Sequence, residues 1–148
     1  MPLDSALAGV WRLGIDTPAF IYLVERNPNY LDRVREVFRR IDAEEIWGGS
    51  SVVTLTEVLT HPKHTRDQPL EPKYLAILLG SASFQLLDTN PTIAVIAADL
   101  RARYSLLTPD ALQIATAIES GCEAFLTNDR RLQRMTELRV LVLDELTL

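Results

Sequence analysis

The sequence predicts an α/β protein built around a central, mainly parallel sheet of about five strands. Short apolar runs that favour strands alternate with longer helical stretches along the whole chain, which is the pattern of a parallel sheet covered by helices. The chain has 148 residues, of which 47% are hydrophobic. That length and composition suffice for one well-buried core but not for two typical domains. We therefore predict one domain spanning residues 1–148.

Five segments have the length and apolar character of strands. They are Trp11 to Ile15, Ile46 to Val53 (interrupted by two glycines), Phe84 to Leu87, Ala124 to Thr127 and Val140 to Leu143. Helices are predicted between and after them. They are Pro18 to Glu25, Tyr30 to Ala43, Leu55 to Leu59, Pro72 to Leu79, Thr92 to Tyr104, Pro109 to Ser120 and a short helix from about Arg130. The segment His61 to Pro72 contains three prolines and is predicted to be a loop.

Capping signals support these helix boundaries. Thr17, Asn90 and Thr108 each stand directly before a proline, and such a polar residue followed by proline is typical of a helix start. Gly80 and Gly121 are the matching stop signals. The helix that begins at Pro109 is small or apolar around much of its circumference, so we expect it to be largely buried.

Charge and cysteine content exclude several classes of protein. The formal net charge of −5 argues against a domain that grips nucleic acid by bulk electrostatics alone. The single cysteine, Cys122, cannot form an intramolecular disulfide, and no Cys/His spacing suggests zinc. The N-terminal stretch lacks the basic region of a signal peptide, and no apolar run is long enough to span a membrane. We therefore expect a cytoplasmic protein.

Four acids stand at punctuated transitions between strand-like and helix-like segments. Asp16 lies in GIDTPAFIYL, Glu57 in SSVVTLTEVL, Asp110 in LLTPDALQIATAI and Asp129 in AFLTNDRRL. Ligand sites of open α/β sheets form where the carboxyl ends of strands give way to helices. Four carboxylates gathered there would repel one another unless a cation were bound. Hard oxygen ligands of this kind select Mg²⁺ or Mn²⁺.

Each acid also has a purely structural explanation as a helix cap or first-turn carboxylate. Thr54 to Glu57 matches a capping box, Asp129 could cap the helix after it, and Asp110 could be a simple first-turn acid. Asp16 fits a plain cap least well, since it follows the apolar Ile15 at the end of a central strand. A purely structural origin for all four requires that they meet at one edge by chance.

Other catalytic chemistries lack support in this sequence. His61 and His64 flank Pro62 and are expected to be exposed rather than metal ligands. There is no serine-hydrolase elbow, phosphate-binding loop or dinucleotide fingerprint. Arginine clusters are typical of solvated helix faces. The cluster Arg130, Arg131 and Arg134 directly follows Asp129 and is the best candidate for contacting a substrate phosphate.

Taken in order, these segments resemble a PIN domain, and most closely the VapC-like ribonuclease toxins of toxin–antitoxin pairs. The resemblance runs from GIDTPAFIYLVE through SVVTLTEVLT to TPDALQIATAIESGCEAFLTNDRRL. It implies a three-layer α/β/α fold, Mg²⁺- or Mn²⁺-dependent hydrolysis of RNA, a cognate antitoxin protein as partner, and a homodimer. The early helices, which are mainly expected to be core, would then also form a groove for the antitoxin.

The resemblance also implies roles for individual residues. Asp16, Glu57, Asp110 and Asp129 would form the metal-binding and catalytic cluster. Thr17 and Thr127 would place hydroxyls beside it, and Asn128 would orient Asp129. Some relatives have a further acid shortly after the fourth, where this chain has Arg130 and Arg131, and this departure leaves a second metal open. Two alternatives remain: an inactive PIN-like binding module, and a Mg²⁺-dependent nuclease or phosphatase with another substrate.

Overall fold

The computed structural model describes all residues from Met1 to Leu148 and contains a five-stranded, wholly parallel sheet. Its strands are β1 (Arg12–Ile15), β2 (Trp47–Ser51), β3 (Phe84–Leu87), β4 (Ala124–Thr127) and β5 (Arg139–Val142), in the order β3-β2-β1-β4-β5. All five predicted strands are present. The central position of β1 brings its carboxyl end beside that of β4, with Ile15 paired to Leu126.

Seven helices connect and cover the strands. They are α1 (Leu3–Ala6), α2 (Thr17–Val24), α3 (Leu31–Asp42), α4 (Val52–Thr65), α5 (Leu70–Gly80), α6 (Pro91–Tyr104) and α7 (Thr108–Glu119). Two short 3₁₀ turns follow, at Arg130–Arg134 and Leu143–Glu145. Helix α1 and the second 3₁₀ turn were not predicted from the sequence. No helix is long and apolar enough to cross a membrane.

Side-chain alternation along β1 and β4 divides the core into two layers. Leu13 and Ile15 pack into a cluster with α2, α3, α4 and α5 on one face of the sheet. Phe125 packs into a second cluster with α6 and α7 on the other face. Successive strand residues point to opposite faces, so both faces of a central strand are buried here. The expected three-layer α/β/α architecture is confirmed.

The predicted loop from His61 to Pro72 is wrong. Helix α4 continues through Pro62 to Thr65, α5 begins at Leu70, and the true connection is only residues 66–69. Thr54, Val58 and Pro62 are buried at intervals of four residues, so they form one stripe that packs on the core. Burial of this stripe offsets the hydrogen bond that a proline removes from a helix.

The strand predicted to end at Val53 ends at Ser51 instead. The Ser51 side chain accepts a hydrogen bond from the Val53 amide and caps α4, which therefore begins at Val52. The predicted capping box at Thr54 is thus wrong, because Thr54 lies inside the helix. The β-branched pair Val52 and Val53 favoured a strand, and the serine cap prevailed.

The prolines predicted the three helix starts correctly, but only one of the three predicted capping residues caps its helix. Asn90 caps α6 through the Ile93 amide, as predicted. The residue that caps α2 is Asp16 rather than Thr17, and Leu107 rather than Thr108 precedes α7. Gly121 has φ +75° just beyond the end of α7, a backbone conformation that glycine adopts without strain.

Candidate active site at the carboxyl edge of the sheet

The four acids named from the sequence all lie at or near the carboxyl edge of the sheet. Asp16 directly follows β1, and its backbone amide donates to the Leu126 carbonyl at 2.9 Å, which continues the pairing with β4. Asp129 comes two residues after β4 ends. Glu57 lies in the second turn of α4, and Asp110 lies in the first turn of α7.

Asp16 is the most buried of these acids, with 8% of its surface exposed. Its Oδ1 accepts from the Thr17 amide and its Oδ2 from the Thr127 hydroxyl, each at 2.8 Å. Burial raises the pKa of Asp16 to about 6, against the lowering effect of these two hydrogen bonds. The negative charges of Asp110 and Glu57 raise it further. The site therefore contains a carboxylate whose ionised form is destabilised by its surroundings.

Glu57 is exposed but held at one oxygen. The Thr17 hydroxyl donates to Glu57 Oε1 at 2.8 Å, and the Gln113 side-chain amide donates to the same oxygen at 3.1 Å. These two donors come from α2 and α7, so the side chain of an α4 residue is tied to two other elements. Glu57 does not reach back to cap its own helix.

Asp110 and Asp129 have opposite electrostatic surroundings. Burial, followed by the charges of Glu57 and Asp129, raises the pKa of the half-buried Asp110. Asp129 is bound by Arg131, whose Nη2 lies 2.7 Å from Oδ2 and whose Nε lies 3.0 Å from Oδ1. This ion pair lowers the pKa of Asp129. Asp129 also caps the following 3₁₀ turn through the Arg131 amide.

The four carboxylates have the oxygen ligands that a hard cation prefers, although their side chains do not meet at one point. Asp16 and Asp110 have raised pKa values that arise partly from neighbouring carboxylates, and a cation would relieve this repulsion. However, no three His, Cys, Asp or Glu side chains stand close enough together to hold a metal ion. In particular, Asp129 is held by Arg131.

The two threonines named beside the site both make hydrogen bonds within it. The Thr127 hydroxyl donates to Asp16 and accepts from the Asp129 amide at 3.1 Å, so it links two of the acids. Thr17 links Asp16 to Glu57 through its amide and its hydroxyl.

Asn128 does not orient Asp129, contrary to expectation. Its side-chain nitrogen donates to the Tyr22 hydroxyl at 3.0 Å, and its side-chain oxygen accepts from the Asp144 amide at 2.9 Å. Consecutive side chains at this strand end point in different directions, and Asn128 faces α2 and the C-terminal turn.

Sequence reasoning missed three buried polar residues behind the acids: Ser50, Thr54 and Gln113, at 4%, 0% and 2% exposure. The Ser50 hydroxyl donates to the Ile15 carbonyl at 2.7 Å and lies 2.8 Å from the Thr54 hydroxyl. Gln113 was detectable as a long polar side chain on the core-facing side of an otherwise small and apolar helix. Thr54 and Ser50 had no comparable signal, because both residue types are common at helix starts.

The three arginines after Asp129 differ in their partners. Arg131 pairs with Asp129, Arg134 donates to the Tyr104 carbonyl, and Arg130 has carboxylates only at 3.8–3.9 Å. A cleft of about 70 Å³ opens beside Asp110 and Asp129 and is lined by Arg131 and Arg134 as well. Acidic and basic groups thus share one small opening at the sheet edge.

Comparison with known proteins identifies the class to which this fold and site belong. The sequence model of the PIN domain matches residues 14–138. This range includes all four acids, the end of β1 and the whole of β2, β3 and β4. The chain belongs to the PIN domain family. A search of curated proteins finds no match.

Solved structures with the same fold include three complexes. One is the VapBC2 complex from Rickettsia felis, bound to a DNA fragment from its promoter. The match has a TM-score of 0.70 at 15% identity and covers 88% of this chain and 98% of the matched chain. A toxin–antitoxin complex from Klebsiella pneumoniae has a TM-score of 0.66 at 21% identity, covering 89% and 97%. The DNA-bound VapBC from Salmonella typhimurium has 0.65 at 19%, covering 89% and 97%. At these identities the likeness establishes the fold.

Proposed function

We propose that this protein is a Mg²⁺- or Mn²⁺-dependent endoribonuclease and the toxin component of a type II toxin–antitoxin pair. The observation that carries the proposal is the buried Asp16, whose carboxylate is destabilised by desolvation and by Asp110 and Glu57. A protein retains such a group at a cost in stability, and perturbed acids of this kind cluster at functional sites. PIN family membership supports nuclease chemistry, and RNA as substrate rests on the resemblance to VapC-like proteins.

In this proposal Asp16 and Asp110 bind the metal directly, and Glu57 and Asp129 bind it directly or through water. A bound divalent cation supplies Lewis acidity toward the scissile phosphate and lowers the pKa of a water. Thr127 holds Asp16 in position, and Thr17 holds both Asp16 and Glu57. The carboxylates bind and orient the attacking water.

Two anions would compete for Arg131. In the free protein it pairs with Asp129, and a substrate phosphate entering the cleft would compete for the same guanidinium. Arginine suits this role because its planar fork matches phosphate and carboxylate oxygens equally well. Release of Asp129 by an incoming phosphate would make its oxygens available to the metal. Arg130 and Arg134 are the supporting substrate contacts.

The partners are also part of the proposal. The related solved structures named above are toxin–antitoxin complexes, and by that analogy a cognate antitoxin would bind this chain. The homodimer that the resemblance implies and the cytoplasmic location predicted from the sequence both stay predictions. Co-expression with a neighbouring small reading frame, followed by sizing of the purified complex, would test antitoxin binding and dimer formation.

The test of activity is cleavage of a mixed RNA pool with Mg²⁺ or Mn²⁺. Wild type, Asp16→Asn and an EDTA control are compared, together with Asp88→Asn as the matched variant. Asp88 also directly follows a strand of the sheet, but it is exposed and follows the edge strand β3. Cleavage should be lost with Asp16→Asn and EDTA and retained with Asp88→Asn.

Failure of folded, metal-supplied wild type to cleave any RNA would contradict the nuclease proposal. The inactive binding module would then be favoured, because Asp129 already has an internal counter-ion. Cleavage of single-stranded DNA, flap DNA or a small phosphate ester, but not RNA, would support the other metal-dependent hydrolases instead.

A further inference from the structure

Gln113 is a buried amide that connects three elements behind the acidic edge. It lies on α7, one turn after Asp110, and is 2% exposed. Its side-chain nitrogen is 2.8 Å from the Thr54 hydroxyl, 2.9 Å from the Thr17 hydroxyl and 3.1 Å from Glu57 Oε1. These partners belong to α4 and α2. The Gln113 amide therefore connects α7 to both α2 and α4 beside Glu57.

Counting protons determines the orientation of this amide. An ionised carboxylate only accepts hydrogen bonds, so the nitrogen of Gln113, and not its oxygen, must face Glu57. The Ser50 hydroxyl uses its one proton on the Ile15 carbonyl, and the Thr17 hydroxyl uses its one proton on Glu57. Thr54 then donates either to Ser50 or to the Gln113 carbonyl oxygen, at 2.8 and 3.1 Å. Each hydroxyl proton in the network has an acceptor, and the two N–H protons of Gln113 are shared among the oxygens of Thr54, Thr17 and Glu57.

Two of these donors converge on one oxygen of Glu57. Thr17 and Gln113 both donate to Oε1, and Oε2 has no hydrogen-bond partner in the protein. A glutamate on an exposed helix face normally samples several rotamers, and ordering it costs conformational entropy. Because the donors to Glu57 are fixed in the core, this entropy is lost when the protein folds and not when the ligand binds. Such preorganisation favours binding.

We propose that Gln113, together with Thr17, is a positioning residue that clamps Glu57 Oε1 and leaves Oε2 as the oxygen available to a divalent cation. The inference rests on the proposed function, in that Glu57 serves the metal site. It adds a role for a residue that is neither an acid nor exposed. Partners of this kind commonly change metal affinity 10- to 100-fold when they are removed.

The competing explanation is that Gln113 only satisfies buried hydroxyls and so supports the fold. A double-mutant cycle separates the two roles. Gln113→Met keeps the length of the side chain but removes both N–H donors, and it is made in wild type and in Glu57→Ala. Mn²⁺ affinity is measured by electron paramagnetic resonance without RNA, and urea unfolding is followed in parallel.

We expect Gln113→Met to weaken Mn²⁺ binding at least about tenfold in wild type and to have no further effect in Glu57→Ala. Thr116→Val is the matched control, because Thr116 is a buried α7 residue whose hydroxyl donates to the Leu112 carbonyl of its own helix. It should leave Mn²⁺ affinity unchanged. Thr17→Val tests the other donor if Gln113→Met fails to fold, with Thr17→Ser retaining the hydroxyl and the affinity.

Three results would overturn the positioning role. They are unchanged Mn²⁺ affinity in folded Gln113→Met, an equal loss of affinity in the Glu57→Ala background, and equal loss in Thr17→Val and Thr17→Ser. In each case the nuclease proposal survives if wild type binds Mn²⁺ and Asp16→Asn does not. Wild type that binds no Mn²⁺ would overturn both proposals together.

Discussion

Asp16 is held in its ionised form by hydrogen bonds while burial opposes that form. The Thr17 amide and Thr127 hydroxyl lower its pKa, yet desolvation prevails and raises it from 3.8 to about 6. The folded protein therefore binds a proton at Asp16 more tightly than the unfolded chain does. By linkage, this residue's contribution to stability is best below about pH 4, worsens as pH rises to about 6, and stays unfavourable above that.

Asp16→Asn should therefore stabilise the protein at neutral pH without metal. The expected gain at pH 7.5 is on the order of 2–3 kcal/mol, because folding raises the pKa of Asp16 from 3.8 to about 6 and each tenfold change in proton affinity corresponds to ~1.4 kcal/mol. It should disappear by about pH 4. The Thr127 hydroxyl can rotate to accept from the new amide, so packing is preserved. Urea unfolding in EDTA across this pH range measures it, and equal stabilities at pH 7.5 would contradict the prediction.

Arg131 is the second residue for which the structure predicts the direction of a mutational effect. Arg131→Gln should free Asp129 and strengthen Mn²⁺ binding in the absence of RNA, while KM for RNA rises. The gain in affinity is expected to be at most about fivefold, since an exposed ion pair contributes little to the free energy. Isothermal titration and steady-state cleavage measure the two effects.

Arg130→Gln is the matched control for this experiment. Arg130 is the sequence neighbour of Arg131, and its nearest carboxylates are 3.8–3.9 Å away and do not include Asp129. It should leave Mn²⁺ affinity unchanged. Weaker Mn²⁺ binding in Arg131→Gln would show that the arginine supports the metal site instead of restraining Asp129.

At the scale of the elements, β1 packs tightly against α7 at Gly14. A Cβ added there would lie 2.7 Å from the Ala117 Cβ and 3.1 Å from a ring atom of Phe125. Neither Ala117 nor the strand can yield without backbone movement. The absence of a side chain at Gly14 therefore sets the distance between the strand that precedes Asp16 and the helix whose first turn contains Asp110.

Gly14→Ala should destabilise the protein by about 1–3 kcal/mol, the usual cost of overpacking a core. Ala117→Gly should cost about 1 kcal/mol on its own, because glycine is a poor helix former. In the double variant the clash is relieved, so its free energy of unfolding should exceed the value expected from adding the two single changes. Strict additivity in urea unfolding would rule out the proposed close contact.

At the scale of the whole molecule, the chain ends are joined beside the sheet. The Leu3 amide donates to the Thr147 carbonyl at 2.7 Å, and Pro2 and Thr147 form an isolated parallel bridge. Arg33 on α3 donates to the carbonyls of Leu143 and Leu146 and secures the segment that follows β5. The early helices and the last residues are thus one structural unit.

Arg33→Ala should lower the free energy of unfolding by about 1–3 kcal/mol, because it leaves backbone carbonyls unsatisfied. Arg35→Ala is the control, since Arg35 is exposed on the same helix and forms no ion pair. Thermal and urea unfolding of both variants test the expectation. Equal stability of the two would mean that water replaces Arg33 at no cost.

The sequence by itself determined the five strands, the order of helices α2 to α7 and the parallel α/β class. Strands such as Ala124 to Thr127 were predicted correctly because both faces of a central strand are buried and the apolar run is continuous. The four acids were singled out because each stands near a transition between a strand-like and a helix-like segment. Their assignment as metal ligands stays a prediction.

Only the tertiary structure decided which local signals prevailed and how the acids are held. Packing of a buried stripe extended α4 through Pro62, where local propensity predicted a loop. The clamp of Gln113 and Thr17 on Glu57 joins residues up to 96 positions apart, and the ion pair between Arg131 and Asp129 depends on side-chain orientation. The clamp has no sequence signature, because hydrogen bonds between distant side chains exist only after the sheet has brought its elements together.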